Sequence, residues 1–218
     1  ALEFVYIPNG VTSIDTSAFS ACSNVELSVA EGSYGLEYAI GKGIKYAVRE
    51  VAPFVKYEGS CGANAKWELY NNGVLKITGS GAMTDFEAGN APWNKYKAEI
   101  VTVEIGKDIT SIGAFSFYRC DNLKTVIFAE GSALKAINRG AFGATGLETI
   151  TLPASLEILG EYALYENASL KTVLFEDGSK LTTIGRYAFR NDKALEFVYI
   201  PNGVTSIDTS AFSACSNV

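Results

Sequence analysis

"TVEIGKDITSIGAFSFYRCDNLK", Thr102 to Lys124, decides the fold, because the chain then writes the same pattern again. "TVIFAEGSALKAINRGAFGATGLE" begins at Thr125, "TITLPASLEILGEYALYENASLK" at Thr149 and "TVLFEDGSKLTTIGRYAFRNDKALE" at Thr172. "FVYIPNGVTSIDTSAFSACSNV" closes the series from Phe197. Every unit opens on an apolar-x-apolar pair: Val103/Ile105, Val126/Phe128, Ile150/Leu152, Val173/Phe175, Val198/Ile200. The first members, at 103, 126, 150, 173 and 198, step by 23, 24, 23 and 25 residues.

Further columns keep the same register. Ile109, Leu134, Leu156, Leu181 and Val204 form one, and Ile112, Ile137, Leu159, Ile184 and Ile207 the next. A small residue comes after them (Ser116, Ala141, Ala163, Ala188, Ala211), then Phe117, Phe142, Leu164, Phe189 and Phe212, and last Leu123, Leu147, Leu170, Leu195 and Val218. Like side chains recurring at such a period describe stacked coils, each burying its inward residues against its neighbours. Alternation inside "TVEI" is that of a short strand, with Val103 and Ile105 inward and Thr102 and Glu104 outward. The fold class read here is a leucine-rich-repeat type solenoid. Short parallel β-strands form one sheet, and turns or short 3₁₀ or α segments lie on the opposite face.

The pattern L-x-x-V-x-I-P-x-x-V-x-x-I-G-x-x-A-F-x-x-C resembles the BspA-like (Treponema pallidum-type) leucine-rich repeats of bacterial surface proteins. "LEFVYIPNGVTSIDTSAFSAC" and "VTVEIGKDITSIGAFSFYRC" carry the resemblance most closely, which covers 100–218 and 1–25. One column departs from it, reading Cys120, Thr145, Asn167, Asp192, Cys215. Its cysteines read as small side chains filling a partly buried corner.

The 25 residues from Ala1 to Val25 recur unchanged from Ala194 to Val218. The chain therefore reads as a phase-shifted window on a tandem array, with residues 1–49 the last repeat and C-terminal cap of a preceding module. In that cap Leu27 and Val29 mark a strand. Ser33 caps a short helix with Leu36, Ala39 and Ile40 on one face, Gly41 and Gly43 end it, and "IKYAV" returns as a strand. Residues 50–58 read as a linker and 59–99 as an N-terminal β-hairpin cap. In that segment "KWELYNNGVLKITG" turns at Asn71-Asn72-Gly73. "GSGAMTDFEAGNAPWNKYKAEI" continues as loop, with Trp93 and Tyr96 available to pack. Residues 100–218 are five leucine-rich repeats. The family has similar "GSYAEEYA…IKY" and "GSGAM…APW" stretches after and before its repeats. One coil plus a cap is short of the roughly three coils a solenoid needs. Residues 1–48 are therefore expected to self-associate by domain swapping, taking the place of the identical 194–218 on another copy.

Chemistry is sparse. Of the 218 residues 48% are hydrophobic and 19% charged, a globular composition, with no apolar run near the roughly 18 residues that would span a bilayer. The chain starts at Ala1 without a visible signal peptide and reads as a fragment or processed form. A net charge of −6 repels nucleic acid over most of the surface. There is no His, and Cys22, Cys61, Cys120 and Cys215 show neither CxxC spacing nor a disulfide framework. The motifs of serine hydrolases, P-loops, zincins and EF-hands are missing, and Cys61 in "GSCG" lacks a base. No cofactor, metal or catalytic residue is assigned. "NAS" at Asn167 matches a glycosylation sequon.

What remains is surface. Glu104, Ile127, Thr151, Leu174 and Tyr199, with Phe197 beside them, fall on outward strand positions. Clustered exposed aromatics mark partner-binding faces. The resemblance implies a non-enzymatic adhesion or protein-binding module, extracellular or on the cell surface, whose ligand is a host matrix protein or another surface protein. The alternative is a structural spacer with no ligand of its own.

Overall fold

The alternating runs become strands, and each strand lies parallel to its counterpart one coil away. The computed structural model describes residues 2–49 and 52–217. Val218, the last member of one inward column, and residues 50 and 51 of the expected linker lie outside that range. The chain divides between Pro53 and Phe54 into two compact units.

The shorter unit holds β1 (Phe4–Tyr6), β2 (Glu26–Ala30), α1 (Tyr34–Lys42) and β3 (Lys45–Arg49). Its three strands form one parallel sheet in the order β1-β2-β3. The Ser33 hydroxyl accepts the Leu36 N–H at 3.2 Å and caps α1, and Gly43 at φ 62° ends it. The inward face differs from the expected one. Tyr38 and Ala39 are buried, Ile40 is 59% exposed, and Gly41 lies inside the helix. The cause is a close approach at Gly35, where an added Cβ would stand 2.8 Å from Ile7 Cγ2. Residues three and four positions on, Tyr38 and Ala39, share that side of the helix.

The longer unit opens with β4 (Val55–Ser60), β5 (Gly62–Tyr70) and β6 (Val74–Met83), joined antiparallel. The hairpin forms at Asn71–Gly73, as its turn residues predict. The linker reading is corrected at 55–58, which pair with β5. There the Tyr57 ring stacks on Tyr96 at 3.6 Å and 9°. The loop reading of "GSGAM" is also corrected, because these residues continue β6. Residues Val74–Ile77 of β6 pair with β7 (Thr102–Ile105), and Gly81–Ala82 with β8 (Ile109–Ile112). One strand thus templates two walls of the first coil. The bend falls at Gly79, φ +88°, where an added Cβ would collide with the Asn64 carbonyl oxygen. No side chain fits there.

The later coils carry β9 (Thr125–Phe128), β10 (Ala136–Ile137), β11 (Thr149–Leu152), β12 (Ile158–Leu159), β13 (Thr172–Phe175), β14 (Thr183–Ile184), β15 (Phe197–Val198) and β16 (Ser206–Ile207). Odd-numbered strands build the expected wall in two ladders, β7–β9 continuing from β6 and β11–β13–β15, with no pairing between β9 and β11 among the described residues, and even-numbered strands from β8 build a second parallel wall. The single-sheet reading is corrected by this second wall. Stacking sets backbone segments opposite their own copies, so an extended run other than the first can also find a ladder.

The third wall is made of tight turns. Phe115, Phe117 and Arg119 donate their N–H groups to the carbonyls of Arg139, Ala141 and Gly143 at 2.9, 2.8 and 3.0 Å. The same ladder repeats down the stack, from Phe142 to Ala163 and from Leu164 to Ala188. Inside, the columns close on one another. Phe117 stacks on Phe142 at 5.0 Å and Phe189 on Phe212 at 5.0 Å. The corner column is a polar ladder, with Asn167 and Asp192 fully buried. The Thr145 hydroxyl donates to Asn167 Oδ1 at 2.6 Å, and the Asn167 N–H to Asp192 Oδ1 at 2.7 Å. Burial pushes the Asp192 carboxyl up to about 9, and its Oδ2 has no partner among the described residues.

Candidate interaction face

Strand alternation decides which side chains reach solvent. Along β13, Val173 is fully buried and Leu174 is 44% exposed. Glu104 stands opposite Ile127, Thr151 opposite Leu174, and Phe197 opposite Thr172. Tyr199, two residues past Phe197, continues the row of Leu174. The six residues fall on two pieces of the odd-stranded wall, Glu104 and Ile127 on β7–β9 and Thr151, Leu174, Phe197 and Tyr199 on or beside β11–β13–β15, and their environments differ. Phe197 and Tyr199 are 57% and 58% exposed, Ile127 and Thr151 are exposed, and Glu104 is half-buried.

Glu104 is also engaged. Its carboxylate lies 3.1 Å from Lys76 Nζ on the neighbouring strand, and that contact raises the lysine's pKa. Lys76 stands opposite Glu68 in turn, and its ammonium sits 5.2 Å from the centre of the Tyr70 ring. The row therefore runs from a charged, internally paired end near the hairpin to an apolar and aromatic end at Leu174, Phe197 and Tyr199. In the shorter unit the copies of those two rings, Phe4 and Tyr6, are 59% and 52% exposed. There the Arg49 guanidinium lies 4.1 Å over Tyr6.

The four cysteines are unpaired. Cys61 and Cys120 are buried, and burial pushes both thiols up to about 12, far from a thiolate nucleophile at neutral pH. Among the described residues no cluster of three or more His, Cys, Asp or Glu side chains gathers, and no helix is long and apolar enough to cross a membrane. Reading along the chain missed the outer surface of the turn wall. Four of the chain's five arginines stand there, at 119, 139, 186 and 190. Only part of the signal is a column: Arg139 and Arg186 share one register position, three residues before Phe142 and Phe189, whereas Arg119 and Arg190 stand at two others.

The family model of the BspA type leucine rich repeat region matches in six copies over residues 1–34 and 94–218. No curated protein matches the chain. Among solved structures, a pneumococcal vaccine antigen, PcpA, aligns at 24% identity over 73% of this chain and 48% of its own, with a TM-score of 0.49. A leucine rich cell surface protein of Faecalibacterium prausnitzii aligns at 23% identity over 78% and 54%, with a TM-score of 0.42. The leucine rich repeat protein of T. pallidum aligns at 18% identity over 73% and 91%, with a TM-score of 0.42. The chain spans between 48% and 64% of the first four structures it resembles.

Proposed function

The chain belongs to the BspA-type leucine-rich repeat family, and from that premise we propose that it is a non-enzymatic protein-binding module of a bacterial surface or secreted protein, acting in adhesion. The observation that carries this reading is the exposed apolar end of the odd-stranded wall, Leu174, Phe197 and Tyr199. Large apolar and aromatic side chains held rigid on a sheet lose little entropy on binding and make strong anchors. Several such faces in a tandem array would raise avidity without any new contact.

The test is binding to immobilised matrix proteins by the full chain and by Phe197→Ala/Tyr199→Ala. Loss of about tenfold or more in affinity, with an unchanged melting temperature, supports the reading. Equal binding by both proteins moves the ligand to another face. No binding by either favours a spacer. Activity in a hydrolase screen would overturn the non-enzymatic reading.

Self-association is a second reading, favoured by one observation. Residues 2–24 and 195–217 are identical, so the coil at 172–193 that receives the second run fits the first run of another copy equally well. Light scattering over a concentration series tests it. A dimer or larger species that disappears when residues 1–48 are removed supports exchange, and a monomer throughout rejects it.

A further inference from the structure

The turn wall carries a second surface with its own chemistry. Its rings form a continuous chain: Phe115 to Tyr118 at 5.7 Å, Tyr118 to Tyr165 at 6.0 Å, Tyr165 to Tyr162 at 5.2 Å and Tyr162 to Tyr187 at 4.9 Å. Two of them lie directly on glycines of the second coil. A Cβ at Gly140 would collide with the Phe115 ring, and one at Gly143 with the Tyr165 ring. Guanidinium groups cover the rings. Arg139 lies 5.8 Å from both Phe115 and Tyr162, and Arg186 and Arg190 lie 4.6 and 5.1 Å from Tyr187.

Turn closure does not require these rings. Phe115, Tyr162 and Tyr187 hold φ of 51°, 56° and 58°, a region that costs a bulky residue about 1–2 kcal/mol. Gly140 and Ser210 close the corresponding turns with φ of 60° and 58° and no ring at all. An exposed cation–π pair returns only about 0.5–1 kcal/mol. The four ring–ring contacts add about 0.5–1.5 kcal/mol each, so the stack offsets the strain, although turn closure itself does not call for the rings.

Charge composition also sets this wall apart. The five turns (113–120, 138–145, 160–167, 185–192 and 208–215) contain four arginines and no lysine, although the chain has 18 lysines and arginines together and a net charge of −6. The carboxylates that reach solvent in the first four turns are the half-buried Glu161, 3.5 Å from Arg139 Nε, and the exposed Glu166. Asp192 there is buried and uncharged at neutral pH, and the fifth turn adds Asp208 at its edge. Arg186 gives one N–H to the Tyr187 hydroxyl at 3.0 Å, but a guanidinium has five N–H donors and keeps others for a carboxylate, in a fork that an ammonium lacks.

The geometry points to this wall as a docking surface for an acidic protein segment whose carboxylates alternate with aromatic or apolar side chains. Arginine takes the carboxylates, and the half-buried tyrosine rings pack the apolar groups, the combination that dominates protein interfaces. Glu161, Glu166 and the chain's overall negative charge oppose a uniform polyanion such as nucleic acid or a sulfated glycan.

Binding of the full chain to a random glutamate–tyrosine copolymer, measured by interferometry at physiological salt, tests the assignment. Polyglutamate, heparin and oligothymidine are the other arms. The expected result is saturable binding of the copolymer, tighter than the other three. It should weaken about tenfold or more in Arg186→Glu/Arg190→Glu, weaken partially in Arg186→Lys/Arg190→Lys, and persist in Phe197→Ala/Tyr199→Ala, with melting temperatures unchanged. Absence of copolymer binding, or binding that survives the charge reversal, overturns it. Tighter binding of heparin or oligothymidine would make the occupant a polyanion and also overturn it. A dimer of the chain that the charge reversal dissolves would make the occupant a second copy, again against the assignment.

Discussion

Trp93 donates its indole N–H to the carbonyl of Ser116 at 2.8 Å while its ring lies 5.5 Å from that of Phe117. The turn wall aligns its carbonyls toward the start of the stack and its N–H groups toward the end. The first coil therefore presents carbonyls that no earlier coil can satisfy. Trp93 takes one, and the backbone N–H of Phe86 takes another, at Ala114, at 3.0 Å. The same indole heads the phenylalanine column, so a single side chain caps both the hydrogen bonds and the core.

Trp93→Phe separates the two roles. Stacking on Phe117 survives, but the buried Ser116 carbonyl loses its donor, at a cost of about 1–3 kcal/mol. Trp93→Ala removes both and is expected to cost about 3–5 kcal/mol. Urea titration of the two variants checks the order; equal losses would mean that the stacked ring contributes nothing beyond the hydrogen bond.

Asp192 makes stability depend on pH. Its folded pKa of about 9 lies above the ordinary 3.8, so the folded chain holds a proton that the unfolded chain releases. Stability from this group is intact below about 4 and declines as pH rises toward 9. Asp192→Asn needs no proton, and Asn167 already fills the same column one coil earlier, its amide donating to the Phe142 and Leu164 carbonyls. The variant is expected to be more stable by about 2–4 kcal/mol at neutral pH and to flatten the slope between about pH 5 and 9. Melting temperatures across that range decide, and an unchanged slope would show that Asp192 is already ionised.

Gly79 and Gly81 share a left-handed φ, +88° and +82°, but not their surroundings. A Cβ at Gly81 meets nothing within 4 Å, so Gly81→Ala should lose only about 1 kcal/mol of backbone strain. Gly79→Ala drives a methyl into the Asn64 carbonyl and should prevent β6 from crossing between the walls. Circular dichroism and thermal melts of the pair check this. Similar losses would mean that the bend moves freely.

Cys61 and Cys120 should resist a thiol reagent at neutral pH until the chain unfolds, because both are buried and their thiols are pushed up to about 12. Cys22 and Cys215, half-buried, should react first. Mass spectrometry of partially labelled protein reads the order directly.

The period, the inward columns and the outward row are legible in the residues alone. A spacing of about 23 residues sets like on like, and strand alternation splits Val173 from Leu174. Local signals also held at the Asn71–Gly73 turn and at Ser33, where a short polar side chain satisfies a neighbouring backbone group. The rest depends on what each segment is stacked against, as the duplicated run shows. Ala18 is exposed while its copy Ala211 is 2% exposed; Ser206–Ile207 is a strand while the same letters at Ser13–Ile14 are not. In the longer unit Phe189 donates to the Ala211 carbonyl and β14 lends β16 its ladder. In the shorter unit β1 pairs instead with β2 of the cap. The positive φ of Tyr187 and the second sheet have the same origin. Each is a backbone state that its own residues do not favour, held by hydrogen bonds from a neighbouring coil roughly 5 Å away in space. Such partners belong to the stack and leave no mark on the local string of letters.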